Sequence, residues 1–384
     1  MTVAIRAVPP SEEVTPPRAV HKALPRIAIN GRFLTQRTSG VQRFALETTK
    51  AIDALLDTPD YRALKGHVEL LAPRSSRSFD LANIPLRRCG LSSGYVWEQI
   101  EFPLYGAGRL LLNFCMLGPV AARRQIVVVH DATVKALPDN FSWRFRAAYD
   151  FLIPRLCRRA VLPVTVSEFS RSEIGRLYGV NTDAMPICAE GGDHITAVAA
   201  DQSVIQRLDL AGRKFFLGVG VGSSNKNIET VLAAYSQAGL DDTLLVLTGK
   251  RDARVHGQLV SVTSDGVRNV GFVSDAELRA LYENALALVF PSRYEGFGLP
   301  PLEAMTCGCP VIVSDQPALV EVTADAALRC GIDDAPELAR LMRLVHDDPA
   351  VRARLKTAGL ERAARFTWRA TARMLLDQCI RIGV

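Results

Sequence analysis

Short β-branched apolar runs alternate with longer stretches of helical period along the chain, the pattern of parallel α/β domains. In the first half, Arg26–Ile29, Val68–Leu71, Leu110–Leu112, Ile126–Val129 and Leu162–Val166 read as buried strands. Val41–Leu56 and Trp143–Arg159 carry apolar residues at helical spacing between them. In the second half the strands are Phe215–Val219, Leu244–Leu247, Val267–Phe272, Leu286–Phe290 and Val311–Val313. Ile228–Ala238, Asp275–Asn284, Pro301–Thr306 and the amphipathic Thr367–Ile382 read as helices. Small and polar residues over Met185–Gln202 mark a join. A chain of 384 residues exceeds what one core supports. Two doubly wound units are therefore expected, with a ligand crevice between them at the carboxyl ends of their strands.

Composition narrows the class. Apolar residues make up 48% and charged ones 22%, ordinary for a globular protein. No apolar run reaches the roughly 18 residues of a spanning helix. Residues 1–24, rich in proline and charge, read as a disordered leader without the apolar centre of a secretory signal. Eight scattered cysteines form no C-x-x-C and read as buried, reduced thiols of a cytoplasmic protein. The net charge of +6 is uneven: residues 1–180 hold 25 Lys/Arg against 15 Asp/Glu, and the remainder 21 against 25. The basic half lacks nucleic-acid motifs, so an anionic membrane surface or a phosphorylated ligand is the expected partner, and nucleic acid is not. Trp143–Arg159, on the inner face of the plasma membrane, is the segment expected to make that contact, or else an ordinary core helix kinked at Pro154.

The densest chemistry lies in PSRYEGFGLPPLEAMTCGCPVIVSD, Pro291–Asp315, directly after an apolar strand. Gly296 and Gly298 leave the backbone bare for an anion, and Pro300 and Pro301 open a helix. Glu295 on the loop and Glu303 in the helix, eight positions apart, can each accept from a vicinal diol. Glu303 also suits a helix start on dipole grounds alone. This E-G-F-G-L-P-P-L-E-A-M run, with G-x-P-V-I after it, resembles the E-x7-E signature of family-four glycosyltransferases with the GT-B fold.

The resemblance implies two Rossmann-like domains facing a central cleft. An acceptor-side domain would span 25–190, a nucleotide-sugar domain 191–366, and a C-terminal helix 367–384, introduced by Phe366–Trp368, would cross back to the first domain. It implies a retaining transfer from a nucleotide-diphosphate sugar to a glycan or lipid-linked acceptor, with no metal or cofactor. Glu295 would meet the donor sugar, Glu303 the ribose diol, and the backbone of Gly296, Phe297, Gly298 and Leu299 the sugar and diphosphate. Resemblance to polysaccharide-assembly enzymes favours mannose from GDP-mannose. An epimerase or a non-catalytic sugar-nucleotide binder of the same fold remains open.

A second constellation, FFLGVGVGSSNKNIETVLAAY, reads as strand, glycine turn and helix start. Gly220, Gly222, Ser223 and Asn227 are expected around the donor, with Ser224 or Asn225 as helix cap and Lys226 over a phosphate. The resemblance also implies an arginine, and its position falls near Val221. The G-x-G-x-G spacing argues against a dinucleotide fingerprint, since Asp241 and Asp242 precede the next strand. In the first half, Gly40 opens a helix beside a loop carrying Arg32 and Arg37, with Arg43 following; the arginines meet a phosphorylated acceptor or only solvent. His130 and Asp131 follow a strand and are expected at the crevice mouth; the resemblance implies His130 on the donor sugar, and with Glu295 and Lys226 they form the expected catalytic set, Asp131 as the candidate base. Trp97 and Glu98, in WEQIEFP, resemble a segment near the acceptor. Ser167 or Ser170 reads as a helix cap.

Overall fold

The structure, a computed structural model, describes residues 24–220, 222–249 and 266–383. Of the expected leader only Leu24 is described, and Val221, where the arginine was expected, lies outside the described residues.

Each half builds a six-stranded, all-parallel sheet. The first contains β1 (Ile27–Asn30), β2 (Val68–Ala72), β3 (Leu86–Arg88), β4 (Leu110–Asn113), β5 (Gln125–Val128) and β6 (Leu162–Val164), in the order β3-β2-β1-β4-β5-β6. The second contains β7 (Lys214–Val219), β8 (Thr243–Thr248), β9 (Val267–Gly271), β10 (Ala287–Phe290), β11 (Val311–Ser314) and β12 (Leu328–Cys330), in the order β12-β11-β10-β7-β8-β9. The two orders are the same up to direction, so the chain repeats one topology. In each sheet the winding reverses between the first and fourth strands, β1/β4 and β7/β10. Ligands of doubly wound sheets bind beyond the strand ends at such a reversal.

Buried strands are legible because both faces are covered by helices, which demands unbroken apolar runs; β1, β4, β10 and β11 are buried at every position. The sequence reading missed β3 and β12. Both are three-residue edge strands carrying exposed arginines, and an edge position relaxes the demand for apolar side chains. The helix after β7 is capped by Asn227 in the left-handed region (φ +57°), and neither Ser224 nor Asn225 takes that place.

The last helix, Trp368–Gly383, lies along Gly40–Leu55 of the first half. Trp368 meets Phe44 edge-on at 5.7 Å, and the Tyr61 hydroxyl donates to Asp377 at 2.7 Å. Trp368 is 3% exposed, so its removal leaves a cavity between the two halves. Trp368→Ala should cost about 3–5 kcal/mol of unfolding free energy, read from urea melts. A loss no larger than that of an exposed substitution would mean that the helix does not tie the halves together.

Candidate active site

Two adjoining cavities open where the sheets face each other. One, of about 340 Å³, is lined by Ser39, Gly40, Arg43, His130, Asp131, Glu190, Lys226 and the run Glu295–Pro300 with Glu303. The other, of about 470 Å³, is lined by Arg32, Gln36, Tyr95, Phe141, Phe145, Tyr149 and Ser223 among others. Asp131, Lys226, Glu295 and Gly296 border both, so they stand where the contents of the two chambers would meet.

The position of Gly296 is set by the seam between the halves. Its carbonyl accepts from the Ser167 hydroxyl at 2.5 Å and the Ser170 hydroxyl at 2.8 Å, both on the opposite half. Ser167 is also the helix cap, accepting from the Ser170 amide at 2.9 Å. A β-carbon at Gly296 would come within 2.8 Å of the His130 carbonyl, so only glycine lets the strand ends approach this closely. Glu321 reinforces the seam by accepting from the Glu168 and Phe169 amides of that same helix start.

Beyond β7, Gly220 (φ +83°) turns the chain, and Lys226 folds back over it. The Lys226 ammonium donates to Glu295 at 2.7 Å and sits 4.6 Å from the Phe290 ring centre. Glu295 also accepts from the Ser292 hydroxyl at 2.5 Å and is held at the strand end. The amides of Gly296, Phe297 and Gly298 donate to no acceptor among the described residues, so a ligand can take them. Asn227 departs from its expected donor role. It is fully buried, and its amide donates to the Pro291 and Ile332 carbonyls, welding β7's turn to β10's end. Gly222 borders neither cavity, whereas Ser223 lines the second.

Glu303 is 7% exposed and accepts from His194 at 3.0 Å and from the Tyr282 hydroxyl at 3.2 Å. An indole N–H only donates, and Trp368 donates to His194 Nδ1 at 3.0 Å. The neutral His194 ring therefore carries its proton on Nε2 and gives it to Glu303. Each Glu303 oxygen keeps a second lone pair for the cavity. His194 and Tyr282 went unrecognised in sequence, because a histidine in a short turn and a helical tyrosine carry no motif.

His130 is 3% exposed and its Nε2 lies 2.8 Å from the Phe114 carbonyl, which can only accept. That nitrogen is thus a donor turned into the first half, and Nδ1 faces Glu190 at 3.5 Å. Burial pushes the Glu190 carboxyl up, and the hydrogen bond and charge of His130 oppose the shift. At the wall of the first chamber the Glu190 carboxyl therefore keeps its proton more readily than a free carboxyl does. Glu190, too, escaped the sequence reading; its only signal was a lone carboxylate among the small residues of the join. Asp131 accepts from the Thr133 amide at 2.8 Å and borders both chambers.

The acceptor-side expectations divide. Gly40 lines the first chamber with nothing within 4 Å of a would-be β-carbon. Arg43 lines it too, paired across the seam with Asp275 at 2.6 Å. Arg37 is exposed. Trp97 is a core residue: fully buried, donating to the Cys89 carbonyl at 2.9 Å and packed on Phe102. Glu98 is equally buried and accepts from Arg32 at 2.9 Å and Asn30 at 3.0 Å. Burial raises the Glu98 carboxyl, and Arg32 opposes that. Arg32, stacked 4.7 Å over Tyr95, reaches the second chamber in their place. Among the described residues no three His, Cys, Asp or Glu side chains converge as metal ligands would.

The profile of the family described as glycosyl transferases group 1 matches residues 203–362. O-antigen chain mannosyltransferase B of Escherichia coli is 34% identical over 262 residues, 65% of this chain and 68% of that protein. O-antigen chain mannosyltransferase RfbU of Salmonella typhimurium is 32% identical over 215 residues, 55% of this chain and 58% of that protein. Among solved structures, sucrose-phosphate synthase from Thermosynechococcus elongatus superposes with a TM-score of 0.70 at 20% identity, covering 92% of this chain and 98% of that one. WaaG, a glycosyltransferase involved in lipopolysaccharide biosynthesis, gives a TM-score of 0.64 at 16% identity, covering 92% and 99%. These structural likenesses establish the two-domain GT-B architecture.

A carboxyl whose folded pKa is raised contributes stability at low pH that is lost as pH rises through the folded value. Glu190→Gln keeps a donor for His130 Nδ1 and removes that dependence. The variant's melting temperature relative to the parent should therefore climb as pH goes from about 4 to about 8; a constant difference would place the proton elsewhere.

Proposed function

The chain belongs to the glycosyl transferases group 1, and we propose that it moves mannose from GDP-mannose to a growing surface polysaccharide, with retention and without a metal. The observation that carries this reading is the convergence of Glu295, Glu303 and Lys226 on one cavity, with Asp131 across the seam. Mannose is supported by the names of the similar O-antigen mannosyltransferases. We place the acceptor-side domain at 25–190, the donor domain at 191–366 and the returning helix at 367–384.

In this reading Glu303, oriented by His194 and Tyr282, accepts from the ribose diol, and Glu295 accepts from the sugar hydroxyls. Lys226 turns from Glu295 toward the diphosphate, joined by the free amides of Gly296, Phe297 and Gly298. As the nucleotide diphosphate leaves, these fixed donors stabilise the charge growing on its oxygen. Arg43, across the cleft and lining the same cavity, supplies a second cation in place of the arginine expected near Val221. The sugar becomes oxocarbenium-like between Glu295 and Asp131, and the leaving phosphate takes the acceptor proton on the same face. The acceptor lies in the second chamber, its rings against Tyr95, Phe145 and Tyr149 and its hydroxyls on Arg32. The enzyme works in the cytoplasm, at the inner face of the membrane.

Glu295→Ala and Lys226→Ala should each lower turnover by about 10²-fold or more while keeping a cooperative melt; full activity in the Glu295 variant would sink the assignment. Transfer product forming only when acceptor is added separates this reading from an epimerase or a sensor. In a thermal-shift panel of GDP-, UDP-, ADP- and dTDP-sugars, GDP-mannose at a hundred times its dissociation constant should stabilise by about 2.7 kcal/mol. A larger shift with another base at the same concentration would overturn the donor.

A further inference from the structure

The helical stretch Gly94–Tyr105 presents two faces of opposite meaning. One is buried through Trp97, Glu98 and Phe102. The other carries Val96, Ile100 and Leu104, exposed by 57%, 57% and 69%, each four positions from the next and so in one row on the helix. Leu91, 86% exposed, precedes them. Scattered apolar residues on a surface need no explanation, but a row of branched side chains does.

The surroundings of this row are basic. Residues 85–125 contain five arginines (87, 88, 109, 123 and 124) and two acidic residues, Glu98 and Glu101. Both acids are engaged internally: Glu98 lies buried against Arg32, and Glu101 accepts from the Leu91 and Ser92 amides. Gln99, between Val96 and Ile100, donates to the Gly118 carbonyl at 2.8 Å and accepts from the Val120 amide at 3.0 Å. It thereby ties the loop bearing the exposed Arg123 and Arg124 to the helix. Arg87 and Arg109 pair with Glu69, while Arg123 and Arg124 have no ion pair among the described residues; an apolar row beside such free arginines is what an anionic lipid surface accommodates, burying the one and pairing the other with headgroups. Trp143–Arg159 is less suited to that contact. Its exposed Trp143 and Phe151 each lie beneath an arginine guanidinium, and its Phe145 and Tyr149 face the second chamber.

We infer that the Val96–Ile100–Leu104 face rests on an anionic bilayer. Tyr95, on the same helix, lines the second chamber, so docking holds the mouth of that chamber at the lipid. A saccharide carried on a lipid then reaches Arg32 without leaving the membrane plane. This last step rests on the transfer reading; the docking itself does not, since it requires no sugar nucleotide.

The experiment is flotation of the full chain with phosphatidylcholine vesicles, alone or with about 30% phosphatidylglycerol, in the absence of any donor. The parent should float with the anionic vesicles at low salt and be released at high salt. Ile100→Glu with Leu104→Glu, and separately Arg123→Glu with Arg124→Glu, should each lower the bound fraction about tenfold with the melt unchanged. No flotation of the parent overturns the inference, as does flotation of the apolar double variant equal to the parent. Concentration-dependent dimerisation of the parent that the apolar variant lacks overturns it in favour of a second copy of the chain.

Discussion

One carbonyl sets the geometry of the cleft. The Gly296 oxygen, held by the Ser167 and Ser170 hydroxyls, brings the end of β10 against the end of β5. The contact is possible only because residue 296 has no side chain to strike His130 and Asp131. Asp131, Glu295 and Lys226, which border both chambers with Gly296, lie beside that point or fold onto it. Loss of this closeness would separate Glu295 from Asp131 even though one buried cluster, running through Phe44 and Trp368, still joins the halves.

The carboxylates of the cleft are surrounded by different partners. Glu295 is half-buried with an ammonium on one oxygen, an arrangement that an incoming diphosphate can trade for itself. Glu303 is buried and accepts from His194 and the Tyr282 hydroxyl, with no competing cation among its hydrogen-bond partners. Glu190 is buried with only an imidazole to face, and burial therefore raises its pKa. A buried carboxylate is tolerable when hydrogen bonded and costly when not. The three groups therefore meet different partners inside one cavity. Trp368 connects to this cluster twice, through His194 to Glu303 and through Phe44 to His130, which faces Glu190.

The second chamber and the exposed row on Gly94–Tyr105 share one element. Its inward face is packed by Trp97 and Phe102, which locks Glu98 behind Arg32. Arg32 is thereby a charged fork fixed from behind and stacked on Tyr95, a preorganised donor instead of a flexible one. The π-turn at Trp97–Glu101 lies between the buried face and the exposed row.

The strands, the main helices, the two-unit organisation and the Glu295–Glu303 loop were determined by the chain itself. They rest on local rules: buried parallel strands need continuous apolar runs, helices need their period, and a bare glycine loop before a prolyl helix start has few other uses. The family resemblance was legible for the same reason, since its motif is contiguous. Tertiary structure alone decided which polar residues face the cleft. Asn227 and Trp97 carry the same letters whether they point at ligand or at core, and packing turned both inward. Glu190 comes from the join, His194 from the short turn just after it and Tyr282 from a helix, and only packing within each half brings Glu190 to His130 and the other two to Glu303. Whether a polar side chain meets ligand or core depends on which partners reach it through space, and those partners lie too far along the chain for a local pattern to reveal them.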